Sequence, residues 1–212
     1  MKKIFLFFAA VVMTAGVMSA QDINQATEAY NNGAMELQMG NNAAAIENFQ
    51  TALTMGEALG DEAADLVANC KKAISSAYLS MAKDLYNAKD FEGALTAFQQ
   101  AKEVAEGYGE AEIAAEAGEL IGQTQMVKYN DEGKAAMKAK DYPTAIAAFQ
   151  KVLEMDPTNG ATAIQLGQAY MRAGQLEESN AALEIAKANG QEANAAKLIS
   201  QNYLKMAQAA VK

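Results

Sequence analysis

The chain has 212 residues, enough to bury a sizeable core, and its 51% hydrophobic share comes largely from Ala, with two Pro and no Trp. Good helix formers dominate such a composition, so an all-α fold is expected. With 17 basic and 26 acidic residues and no His, the formal charge is −9; this surface repels nucleic-acid backbones and anionic headgroups, and the missing His removes the commonest general base, Ser–His pairs and most catalytic zinc sites.

The first element is a leader. Lys2 and Lys3 precede an apolar stretch from Ile4 to Met18, which ends at the small pair Ser19 and Ala20 before polar Gln21 and Asp22. A positive start, an apolar run shorter than a membrane span and a small-residue exit describe a secretory signal peptide over residues 1–20, cleaved after Ala20. An uncleaved anchor is the alternative. Cleavage leaves 15 basic residues against 26 acidic ones, a formal charge of −11. The expected destination is the periplasm, with the outer surface or the medium as alternatives, and no transmembrane anchor remains. Cys70 is the single cysteine and lies on an apolar stripe, so it is expected to be a buried structural thiol.

Beyond the leader the sequence repeats. Ala is followed four residues later by Phe at Ala45/Phe49, Ala94/Phe98 and Ala145/Phe149, and a small residue precedes each Ala by twelve positions at Gly33, Ala82 and Gly133. Gly167, Ser179, Leu183 and Ala186 continue the pattern in a fourth window, beside Leu166 and Tyr170. Between the paired segments lie the short polar turns Gly40-Asn41-Asn42, Lys89-Asp90, Lys140-Asp141 and Gly174-Gln175. Apolar residues at three- and four-residue spacing, such as Ile146, Phe149, Val152 and Leu153, give one stripe per helix.

These windows resemble the tetratricopeptide (TPR) repeat, a helix-turn-helix unit of about 34 residues. The resemblance covers most of the chain beyond the leader, 21–212, and places repeats near 26–59, 75–108, 126–159 and 160–193, with a C-terminal capping helix over 194–212. Tyr78 and Tyr129 fill the family's aromatic slot near the repeat start, whereas Ala29 and Ala163 depart from it. Phe49 to Phe98 and Phe98 to Phe149 are longer than one repeat. The inserted stretches, about 61–74 and 110–125, keep helical periodicity, so two elongated first helices are expected; separate helices are the alternative. The fold class is therefore all-α, an αα-hairpin solenoid in which the family forms a right-handed superhelix.

No chemistry-bearing motif accompanies the repeats. The acidic groups Asp61-Glu62-Asp65 and Glu110/Glu112/Glu116 sit at expected helix starts, where negative charge meets the helix dipole. No phosphate-cradling Gly loop or calcium loop occurs, and Met35, Met81, Met137 and Met171 recur beside apolar neighbours as core or groove lining. Neither a cofactor nor a metal is expected, and the chain is read as a non-catalytic scaffold rather than an enzyme.

The resemblance implies a groove lined by the first helix of each repeat that accepts a peptide or a partner's helix. Its slots fall on Tyr30 and Asn31; Leu79, Lys83, Tyr86 and Asn87; Asn130, Lys134 and Lys138; and Gln165, Gln168 and Arg172, with Asn202 and Lys205 extending the row. Four cations, Lys83, Lys134, Lys138 and Arg172, face one acid there, Asp131, so the implied groove is amide-rich and mildly basic on an acidic body. The implied partner is a protein or peptide. A self-associating structural protein, a homo-oligomer built from exposed repeat ends, is the alternative function.

Overall fold

In the computed structural model, residues 20–211 are described. The leader read at 1–20 lies outside them save for Ala20, which opens the first helix. The described residues fold into α1 (Ala20–Gln38), α2 (Asn42–Leu59), α3 (Ala64–Asn87), α4 (Phe91–Tyr108), α5 (Ala111–Ala139), α6 (Tyr142–Met155), α7 (Gly160–Ala173), α8 (Leu176–Ala188) and α9 (Glu192–Ala210). This is an all-helical repeat of αα-hairpins with elongated first helices α3 and α5 and α9 as the C-terminal cap. At 1.5 Å rise per residue, α5 with its 29 residues is about 44 Å long. α3 begins at Ala64, later than the acidic run at Asp61, because Gly60 to Ala63 form a 3-10 turn and Gly60 has a positive φ of 65°.

The four hairpin turns read in the sequence close in the same way. In each, a residue one or two positions past the first helix has left-handed backbone, with φ of 79° at Gly40, 62° at Lys89, 61° at Lys140 and 82° at Gly174. The following N–H reaches back five residues, as in Asn41 to the Glu36 carbonyl (2.9 Å), Asp90 to Leu85 (3.0 Å), Asp141 to Ala136 (2.9 Å) and Gln175 to Tyr170 (2.9 Å). This is the Schellman arrangement, which satisfies the last carbonyls of a helix and for which Gly is the favoured residue. Asp90 and Asp141 then cap the second helices, accepting from the Gly93 N–H at 3.0 Å and the Thr144 N–H at 3.3 Å.

Lys89 and Lys140 thus stand where two sister turns place Gly, in a conformation that crowds any Cβ. Lys140 is exposed and makes no ion pair among the described residues, so little is lost with its side chain. Lys140→Gly is expected to raise stability by about 0.5–1 kcal/mol, read as a higher urea midpoint. Lys140→Ala, which removes the charge but retains the Cβ, should bring no comparable gain.

The chain sorts into two compact units, one of residues up to Asp84 with Gln100–Ala115, the other of Leu85–Gln99 with Glu116 onward. In the first, α1 packs on α2 through Phe49, whose ring fills the space left by Gly33; a Cβ on Gly33 would lie 2.7 Å from it. Tyr30 completes the contact, its ring centroid 5.2 Å from that of Phe49. The aromatic absent at Ala29 is in effect supplied one residue later. On α3, Cys70, Ile74 and Ala77 are fully buried. Burial pushes the Cys70 thiol up to about 11, leaving it protonated and inert at neutral pH.

The second unit repeats the small-on-large device. Gly133 admits the Phe149 ring and Gly167 admits Leu183, with hypothetical Cβ atoms 2.5 Å and 2.6 Å from those side chains. Phe149 is enclosed by Ala136, Ala145, Leu166, Ala169 and Ala182, and Leu183 by Ala163, Ala186 and Ala195. α9 is attached by a polar chain as well: Asn202 Nδ2 donates to Ser179 Oγ and to Asn180 Oδ1, both at 2.8 Å, and Ser179 Oγ donates to the Gly167 carbonyl at 2.7 Å.

Candidate protein-binding groove

The row of slots runs along the first helices of the hairpins. Tyr30, Asn31, Leu79 and Lys83 belong to the first unit and the other eight to the second. In the first unit, Asn31 is exposed, while Tyr30 is half-buried against Phe49. Lys83 is half-buried and already has an interaction partner. Leu79 is a correction: it is only 5% exposed, a core residue that offers a partner no apolar surface. Elongated α3 buries Ile74, Ser75, Ala77, Tyr78 and Leu79 in near succession, so more of its circumference is covered than one groove-facing stripe allows.

The second unit holds the better-formed part. Asn130, Lys134 and Lys138 recur at four-residue spacing on α5, and Gln165, Gln168 and Arg172 recur at three and four on α7, so each trio forms one stripe. Met137 on α5 and Ile164 on α7 are half-buried and pack against the cores beneath. Tyr86 is half-buried against Phe91, with ring centroids 5.7 Å apart, and Asn87 is exposed. Asn202, assigned to the same row, is a second correction: it is fully buried and its amide serves Ser179 and Asn180. Lys205 remains exposed.

Charge and hydrogen bonding set two features of these stripes apart. Lys134 has a 3.6 Å ion pair with Asp131, both side chains exposed, and such a pair is worth little. Lys138 and Arg172 have no carboxylate in ion-pairing range among the described residues. The Asn130 Oδ1 and Gln165 Oε1 atoms are shielded from solvent and accept no hydrogen bond. Lys128, on the same helix, is occupied: its bond to Glu92 raises its pKa, and its ammonium lies 5.7 Å from the Tyr129 ring centroid.

A further feature escaped the repeat pattern. A shallow cleft of about 520 Å³ is lined by Pro143, Ile146, Gln150, Tyr170 and Gln175, and Gln150 Nε2 donates to Tyr170 Oη across it at 2.9 Å. Tyr170 reads in sequence only as a repeat-packing residue, and its hydroxyl contact with a residue twenty positions earlier leaves no periodic trace. Among the described residues, no cluster of three or more His, Cys, Asp or Glu side chains is placed to hold a metal ion. No helix among them is long and apolar enough to cross a membrane.

Comparison with family models agrees with the repeat pattern over part of the chain. Residues 136–201 match the family model of the tetratricopeptide repeat, whereas no curated protein gives a significant sequence match. Among solved structures, the C-terminal TPR-containing domain of a Plasmodium falciparum FK506-binding protein matches at 21% identity over 68% of this chain and 96% of its own, with a TM-score of 0.41. The TPR domain of P58(IPK) matches at 18% identity over 90% of this chain and 57% of its own, with a TM-score of 0.39. A structure of MamA matches at 17% identity over 88% of this chain and 84% of its own, with a TM-score of 0.33.

Proposed function

We propose that this protein, whose residues 136–201 match the family model of the tetratricopeptide repeat, a fold that generally mediates protein–protein interaction, is an exported, non-catalytic scaffold that holds an acidic peptide segment or partner helix on the first-helix stripes of its second unit. One observation carries the proposal. On consecutive first helices, the stripes Asn130–Lys134–Lys138 and Gln165–Gln168–Arg172 each end in an exposed cation, Lys138 and Arg172, that has no carboxylate in ion-pairing range among the described residues. The exposed Gln168 amide can exchange hydrogen bonds with a partner's backbone, while Lys and Arg favour carboxylates. Export belongs to the same proposal and rests on the leader at residues 1–20.

Exposed cations each supply only about 0.2–1 kcal/mol, so electrostatics would select the partner and the half-buried Tyr86 and Ile164 would add apolar burial. The test uses fluorescently labelled acidic decapeptides with free C-termini, titrated by anisotropy. Reversing both charges, Lys138→Glu with Arg172→Glu, is expected to weaken binding about tenfold, equivalent to ~1.4 kcal/mol, and to leave the thermal melt unchanged. Equal affinity of wild type and variant, or failure of every acidic peptide to bind while neutral ones do, would remove the groove assignment.

A further inference from the structure

Asn followed by Gly is a chemically short-lived pair, because a residue with no side chain lets its backbone nitrogen approach the Asn side-chain carbon. The sequence holds three such pairs, Asn32-Gly33, Asn159-Gly160 and Asn189-Gly190. The fold protects two of them. Asn32 and Gly33 lie inside α1, where the Gly N–H belongs to the helical hydrogen-bond ladder and the Phe49 ring closes over Gly33. Asn159 is the N-cap of α7. Its Oδ1 accepts from the Thr162 N–H at 3.0 Å, and buried Gly160 donates its own N–H to the Thr158 carbonyl at 2.8 Å.

Asn189-Gly190 lacks both restraints. The pair forms the turn between α8 and α9, with Asn189 half-buried and Gly190 exposed at a φ of 81°. The N–H groups on either side, of Asn189 and Gln191, both go to the Ala186 carbonyl, at 3.1 Å and 3.0 Å. The Gly190 N–H between them makes no backbone hydrogen bond among the described residues. The bond that holds the Asn189 side chain runs from Nδ2 to the Ile185 carbonyl at 2.8 Å and is exposed to solvent.

We propose that Asn189-Gly190 is a self-modification site, where the side-chain amide converts to a carboxylate and α9 is loosened. The Gly190 nitrogen, once it has lost its proton to base, attacks Asn189 Cγ. The new C–N bond closes a cyclic imide, the Cγ–Nδ2 bond breaks, and Nδ2 leaves as ammonia with a proton from solvent. Water then opens the imide. Cleavage at Cγ gives aspartate, whereas cleavage at the Asn189 backbone carbonyl carbon gives isoaspartate, whose main chain runs through Cγ and is one atom longer. In sum, an amide and a water become a carboxylic acid and ammonia, with nothing oxidised or reduced. Either product sets a negative charge at the C-terminal end of α8, where the helix dipole disfavours it; Lys187 nearby is already paired with Glu184 at 3.7 Å. Isoaspartate also lengthens the chain between the Ala186 carbonyl and the Gln191 N–H that close the turn. It makes a free carboxylate of the Asn189 carbonyl, whose oxygen would lie 2.3 Å from a Cβ on Gly160 of α7. The seating of α9 on α8, through Ala195 and the Asn202 amide, depends on that turn. No residue of the proposed peptide groove takes part, and either proposal can fail without the other.

The test keeps the full chain folded in mildly alkaline buffer and, in parallel, unfolded in urea. Samples taken over time are digested for peptide mass spectrometry, with isoaspartate separated from aspartate by chromatography. In urea all three pairs are expected to convert at similar rates. In the folded chain Asn189 is expected to convert at least about tenfold faster than Asn32 and Asn159, which react only when their backbone opens. Asn189→Gln, which would need a larger ring, should leave the turn unmodified. Hydrogen exchange on the converted fraction should be faster in α9 and unchanged in α1. Conversion of Asn189 in the folded chain no faster than that of Asn32 or Asn159 would overturn the proposal. So would a converted fraction whose α9 exchanges as slowly as that of fresh protein.

Discussion

Phe149→Ala is expected to lower the unfolding free energy by about 3–5 kcal/mol, the range for truncating an enclosed aromatic. The ring is fully buried and surrounded by α5, α6, α7 and α8 side chains, chiefly Ala136, Ala145, Leu166, Ala169 and Ala182. Alanine cannot spread into the space left by a phenyl ring, and the backbone at Gly133 offers no side chain that could move in. Total stabilities of single domains are about 5–15 kcal/mol, so this one substitution removes a large share. In a repeat array, where contacts run only to neighbours, little elsewhere compensates. Urea unfolding followed by circular dichroism should show a strongly lowered midpoint; superimposable curves would contradict the packing described for this cluster.

Gly160→Ala should cost about 1–3 kcal/mol, the usual penalty for overpacking, although Ala is the better helix former. A Cβ at this first residue of α7 would stand 2.3 Å from the Asn189 carbonyl oxygen. The obstacle is backbone at the end of α8, which cannot rotate aside as a side chain can. Gly122→Ala is the control: it lies within α5 with nothing inside 4 Å of the added carbon, so it should stabilise by about 0.5–1 kcal/mol. Opposite signs for the same chemical change, read from thermal melts, are the expected outcome. Equal effects at both positions would mean that helix propensity, not the α7–α8 approach, governs Gly160.

Much of the fold was legible because its packing rule is written in residue size. Phe49, Phe98, Phe149 and Leu183 were marked by spacing and are all buried, and the turns between them could be aligned by their capping residues. Elongation of α3 and α5 followed from helical periodicity without a Pro. The left-handed backbone at Lys89 and Lys140 was not legible, because lysine has no preference for it; only alignment with Gly40 and Gly174 hints at it. Site residues fared less evenly. Asn130, Gln165 and Arg172 lie on half-buried or exposed stripes, but Leu79 was misassigned because a family slot says nothing of how much of a longer helix is covered. Asn202 was misassigned because a buried polar residue breaks the apolar pattern by which cores are recognised, and its partners lie more than twenty residues earlier.

That buried amide gives α9 something its apolar contacts cannot. Apolar surfaces tolerate a slip of one helical turn, since one aliphatic side chain replaces another at modest cost. A four-residue slip of α9 would set Leu198 or Met206 where Asn202 stands, leaving Asn180 Oδ1 without its donor and incurring the penalty of an unpaired acceptor. The Asn202 amide therefore selects among alignments of the last helix, much as a single buried Asn fixes register in a coiled coil. The array thereby ends at one defined position, and every surface residue of α9 from Lys197 to Ala210 is presented at a fixed angle.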